Sequence, residues 1–129
     1  MPYNVYITYH HGVIQHVRIF IETKEDGSGK IYHVTGTVLM GMELQIRDAS
    51  RPDDSATYIP GTQTLVGRMH EADLARFEAA ARAVPPPGAQ VKLNGRPKDP
   101  TKPVRRCGEW VEELKEKAIA EGIVTPSEV

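Results

Sequence analysis

Apolar and polar residues alternate with a period of two along much of the first half of the chain. Tyr3, Val5, Ile7 and Tyr9 alternate with Asn4, Tyr6 and Thr8, which is the pattern of a half-buried strand. A turn is expected near His11-Gly12. Residues 13–22, VIQHVRIFIE, carry the strongest strand pattern. Val17, Ile19 and Ile21 point one way there, and His16, Arg18, Phe20 and Glu22 the other. KEDGSG, 24–29, reads as a polar turn, and IYHVTGTVLM, 31–40, resumes extended structure, so 13–40 is expected to form a hairpin. MELQIRD, 42–48, adds a strand, and 49–61 is a loop by its Pro, Asp, Ser and Gly content. A short strand is expected at 62–68.

The period then lengthens. HEADLARFEAAARAV, 70–84, places Leu74, Phe77, Ala81 and Val84 on one helical stripe, and Pro85 to Gly88 end it. VKLN, 91–94, fits a brief strand, and GRPKDPTKP, 95–103, a stiff connector. A second helix is expected from about Arg106 to Glu121, with Trp110, Val111, Leu114, Ala118 and Ile119 near one face. Gly122 suits a position just past its end, and the tail TPSEV is expected to fray. The sum is an α+β fold: one domain over 1–129, with an antiparallel sheet from the N-terminal two thirds covered on one face by two helices.

Composition narrows the function classes. The 129 residues are 40% apolar and 26% charged, with a formal net charge of −1. Nothing in that balance draws the chain to nucleic acid or to an acidic membrane. Arg96, Lys98, Lys102, Arg105 and Arg106 form a local basic run, but prolines interrupt it and no aromatic side chains are interleaved, so it reads as a solvated loop. No stretch is long and apolar enough to span a membrane, and no secretory leader is evident. The single cysteine excludes an intrachain disulfide, which points to a reducing, cytoplasmic setting.

That cysteine, Cys107, lies in RRCGEW at the expected start of the last helix. Unpaired N–H groups at a helix N-terminus stabilise a thiolate, and Arg105 and Arg106 add positive potential. A nucleophilic thiol also needs a base, and histidine suits that role near neutral pH. Of the five histidines, His16 is held mid-strand and His33 lies on the next strand. If the hairpin turns about Lys24-Glu25, the two are direct cross-strand neighbours, and His33 orients His16. If it turns about the middle of KEDGSG, His33 faces Phe20 and lies about 13 Å along the strand from His16, at ~3.3 Å per residue. Both registers keep them on one face. His10 and His11 with His16 lack a carboxylate to complete a metal site, so no metal or other cofactor is expected. A lone cysteine beside a tryptophan is otherwise ordinary core filling.

HVRIFIE, a glycine-containing turn, IYHVTG and, much later, RRCGEWVEEL together resemble the circularly permuted NlpC/P60 (permuted papain-like) group, which includes lecithin-retinol acyltransferase-like proteins and PPPDE-type deubiquitinating peptidases. Small uncharacterised fungal proteins with His-x-x-x-Phe, His-Val-x-Gly and Arg-Cys-x-x-Trp stretches look closer still. The resemblance implies a permuted papain-like fold, in which the histidine strand precedes the cysteine helix. It implies Cys107 as nucleophile, His16 as general base and His33 as the third polar residue. The His16 to His33 spacing is longer than in the acyltransferase branch. Gly108-Glu109 stands where that branch has Glu-His, so activity on lipids does not carry over.

Two classes of function follow. The first is a cysteine-dependent hydrolase or acyl transferase acting on an amide, ester or thioester of a small-molecule or peptide substrate. The second is a non-enzymatic interaction or accessory protein that retains the fold.

Overall fold

The computed structural model describes residues 2–11, 16–37, 39–88, 90, 96, 101 and 105–126, apart from the side chain of Asp53. The expected strand at 91–94 and most of the 95–103 connector lie outside the described residues. Strands β1 (Pro2–His10), β2 (His16–Glu22), β3 (Gly29–Thr37), β4 (Gly41–Ala49), β5 (Thr64–His70) and β6 (Val124–Pro126) form one sheet in the order β4-β3-β2-β1-β5-β6. Every pairing is antiparallel. Helices α1 (Leu74–Ala83) and α2 (Cys107–Ala120) complete the α+β fold.

The period-two pattern decides which face is covered. Val5, Ile7, Ile19, Ile21, Tyr32, Val34 and Met69 from the sheet join Phe77, Ala80 and Ala81 of α1 and Trp110, Val111, Leu114 and Ala118 of α2 in one core. Trp110 is fully buried, and its indole N–H donates to the carbonyl of Val84 at 3.0 Å, tying α2 to the end of α1. Truncating a buried aromatic of this kind costs roughly 3–5 kcal/mol. Tyr32 meets Phe77 edge to face at 5.0 Å, and its hydroxyl donates to Glu78.

The opposite face carries the even positions of β2 and the odd positions of β3. Part of it is also buried. Phe20 and Ile31 are 1% and 5% exposed, and the 50–55 segment closes a cavity beside them. A 3₁₀ turn at Pro52–Asp54 shapes that loop, and Tyr58 bridges back to His10.

The β2–β3 register is neither of the two expected ones. Ile19 pairs with Tyr32 and Glu22 with Gly29. The turn sets this offset. Gly27 N–H donates to the Lys24 carbonyl, Gly27 takes a φ of 89°, and the Asp26 carboxylate accepts from both the N–H and the hydroxyl of Ser28. Extended one step beyond the ladder, His33 falls opposite Arg18, so His16 and His33 are diagonal neighbours on one face.

Several boundaries also differ from expectation. β3 ends at Thr37, and Leu39-Met40 form a turn, with Met40 N–H bonded to the Thr37 hydroxyl. β5 runs on to His70, where pairing with Pro2 outweighs helix propensity. His70 then accepts from Ala72 N–H, a 3₁₀ turn covers Glu71–Asp73, and α1 starts only at Leu74. β1 runs to His10, directly before the expected His11-Gly12 turn. The tail does not fray at once. Gly122, at φ 73°, reverses the chain after α2, and Val124–Pro126 pair with β5.

Candidate active site

Cys107 is the first residue of α2. Arg106 before it is extended, at φ −125° and ψ −172°, and its carbonyl accepts the first helical bond, from Trp110 N–H, at 3.1 Å. Arg106 N–H is taken by the Glu109 carboxylate at 3.2 Å, which also places an anion in the first turn. The approach to the helix is clamped. The Gln90 side-chain amide accepts from Arg105 N–H and donates to the Arg105 carbonyl, and the Arg105 guanidinium pairs with Glu113. The backbone that delivers Cys107 is thus fixed on both sides, as a reacting group requires.

His16 Nε2 and His33 Nδ1 are 2.7 Å apart, with ring centroids at 4.9 Å and planes inclined at 66°. His33 is 2% exposed and His16 is half-buried. Burial, followed by the charge on Arg18, lowers the pKa of His16. Burial and then His16 itself hold His33 at about 3. Both rings are therefore neutral at physiological pH. Gln45, opposite His33 on β4, pulls slightly the other way, though it falls short of a hydrogen bond of ordinary geometry to Nε2.

A cavity of about 480 Å³ is lined from both sides of the sheet: His16, Arg18, His33 and Arg47 lie on the face away from the helices, and Val34, Met42 and Cys107 on the core side. Its lining includes Cys107, His16 and His33, the three residues singled out in the sequence. Cys107 is 8% exposed: its side chain packs in the core, yet it reaches the cavity wall. Arg18, Arg47 and Arg106 share the lining, and among the described residues no carboxylate does.

Sequence reasoning missed Arg18 and Arg47. Their signal was the alternation that picked out His16. Arg18 is two residues along from His16, and Arg47 two along from Gln45, so each falls on the histidine face of its strand. Of the expected basic run, Arg105 is consumed by Glu113 and Arg106 turns to the cavity, while Lys98 and Lys102 lie outside the described residues. His10 and His70 make structural hydrogen bonds away from this lining, and His11 is exposed. Among the described residues, no group of three His, Cys, Asp or Glu side chains converges to hold a metal ion, and no helix is long and apolar enough to cross a membrane.

No curated protein and no solved structure matches the chain. A family of unknown function, DUF6540, matches it over residues 5–125, which is nearly its whole length, and the chain belongs to that family.

Proposed function

We propose that the protein is a thiol-dependent hydrolase or acyl transferase with a permuted papain-like arrangement, Cys107 serving as nucleophile and His16 as general base. The observation that carries this reading is one cavity bordered by a thiol at a helix start and by a hydrogen-bonded histidine pair.

The contact between the two rings supports a division of roles between the nitrogens of His16. His33 occupies Nε2 of His16, so Nδ1 is the atom left to exchange a proton with Cys107. His33 is too weakly basic to take that proton, and it acts as a positioning residue that fixes the ring of His16. The lowered pKa of His16 keeps it unprotonated and ready as a base.

In the first half-reaction His16 Nδ1 accepts the thiol proton, and the sulfur attacks the substrate carbonyl carbon. A C–S bond forms and the carbonyl electron pair moves to oxygen. Collapse of that oxyanion breaks the bond to the amine, alcohol or thiol, which leaves with the proton from His16. Water or an amine then attacks the thioacyl carbon, gives its proton to Nδ1, and the C–S bond breaks to restore the thiol. The N–H of Cys107, at the first position of α2, is the oxyanion donor in this reading. A reducing compartment keeps the sulfur available for this cycle.

The competing reading is a binding module that retains the fold, and the packing of Cys107 within the core favours it. Incubation with activated esters and thioesters, followed by intact-mass analysis, separates the two. The enzyme reading expects an acyl adduct on Cys107 that forms in the parent, is absent in Cys107→Ser and forms slowly in His16→Ala. No adduct with any acyl donor, in a folded protein, leaves the binding module.

A further inference from the structure

We infer that the ligand of this cavity carries a carboxylate or phosphate group away from the reacting bond, and that Arg18, Arg47 and the Nε2–H of His33 receive it. As a statement about substrate, the inference rests on the reading above; as a statement about an anion site, it does not.

Three adjacent strands present the group. Arg18 comes from β2, His33 from β3 and Arg47 from β4, with His33 opposite Gln45 and Arg47 opposite Ile31. All three line the cavity. Among the described residues neither arginine makes an ion pair. Arg18 Nε is buried without a hydrogen-bond partner, and so is His33 Nε2. Leaving buried polar atoms unmatched costs free energy, and a buried cation is normally paired. Burial and then the charge on Arg47 lower the pKa of Arg18, so the two guanidinium groups repel each other along the cavity wall. An oxyanion relieves both costs, because guanidinium forks match carboxylate and phosphate geometry.

The same anion would set the histidine tautomers. Neutral His33 carries one ring proton. If it sits on Nδ1, it is donated to His16 Nε2, and the proton of His16 lies on Nδ1, where the base is needed. If it sits on Nε2, His16 donates from Nε2 to His33 Nδ1, and Nδ1 of His16 is a bare lone pair. An acceptor at His33 Nε2 selects the second arrangement. Binding of the substrate's anionic end thereby prepares the base at the other end of the pair.

The test uses uniformly nitrogen-15-labelled Cys107→Ser protein at pH 7, titrated with inorganic phosphate and separately with acetate. The expected result is saturable shifts of Arg18 Nε and of the His33 ring, with the His33 proton on Nε2 when anion is bound. The tighter of the two anions names the group. Arg47→Gln, at an exposed position on the edge strand, should weaken binding about tenfold or more. Lys117→Gln, near the far end of α2, should bind as the parent does. Absence of saturable binding, indifference to Arg47→Gln, or a bound state with the proton on Nδ1 overturns the inference. The serine protein needs no turnover to answer, so failure here leaves the acyl-transfer reading standing. A bound anion without any acyl adduct in the parent keeps the anion site and removes only the enzyme.

Discussion

Two histidine centres lie side by side on one face of the sheet, and they have opposite fates. His10 on β1 is paired in register with His16 on β2. His10 is 3% exposed and both its nitrogens are bonded, to the Thr8 hydroxyl at 3.0 Å and the Thr57 hydroxyl at 3.1 Å. The loop around Thr57 closes over it, held by His11 N–H to the Thr57 carbonyl and Ile59 N–H to the Tyr9 carbonyl. His16 and His33 share a single bond, keep one buried nitrogen unmatched and face a cavity with a thiol on its wall. Burial lowers the pKa at both centres, taking His10 to about 4 and His33 to about 3. A depressed pKa therefore does not separate a histidine satisfied by the fold from one proposed to do chemistry. What separates them is whether the ring nitrogens are satisfied by the fold or left for something else.

Mutation should break the comparison most sharply in activity. Cys107→Ala and His16→Ala are each expected to lower kcat/KM by about 10³ or more, and the double variant by little beyond either, since the two act as a unit. His10→Gln, which keeps a polar side chain under the loop, should change kcat/KM by less than about threefold while lowering Tm. Comparable losses at His10 and His16 would erase the distinction. His33→Ala is expected to cost about 10–100-fold in kcat, with His33→Asn recovering part, because its amide oxygen can accept from His16 Nε2.

Acid should act on both centres through stability. Unfolded histidine titrates near 6.5, and the folded values are lower, so the unfolded chain binds more protons below that pH. The contribution is fully present above pH 6.5 and declines as pH falls towards 4 and then 3. After allowance for solvent screening, roughly 2–3 kcal/mol should be lost by pH 4. Denaturant unfolding at pH 7 and pH 4 measures it, and His10→Gln should remove about half of the difference. A flat profile would show that neither imidazole is held neutral by the fold. The smallest expected effect is kinetic. The acid limb of kcat/KM should lie below pH 6.5, and Arg18→Gln should move it upward by a fraction of a unit, because the neighbouring charge that disfavours protonated His16 is gone.

Much of this was legible in the sequence. Alternation alone assigns Val17, Ile19 and Ile21 to one face of β2 and His16 to the other, and the helical stripe of Trp110 and Leu114 marks α2. The placement of Cys107 at a helix start was readable from the proline-rich connector before it and the apolar spacing after it. The register of His33 against His16 was not, since it depends on Asp26 and Gly27 closing a particular turn. β6 escaped because three residues ending in proline carry no period. Arg18 and Arg47 were overlooked because cations on a strand are usually solvated. Only three strands in register show them converging on one cavity. The Gln90 clamp on Arg105 joins residues separated by a proline-broken segment, and no local pattern announces it.

The most direct measurement is the rate of Cys107 alkylation by iodoacetamide across pH 5 to 9, in the parent and in His16→Ala, with folding checked in each. A thiol served by His16 should react at pH 6 at least tenfold faster in the parent than in the variant, the two curves converging at high pH. Superimposable curves at every pH would mean that the imidazole and the sulfur do not exchange a proton, and the cavity would then be a binding site and no more.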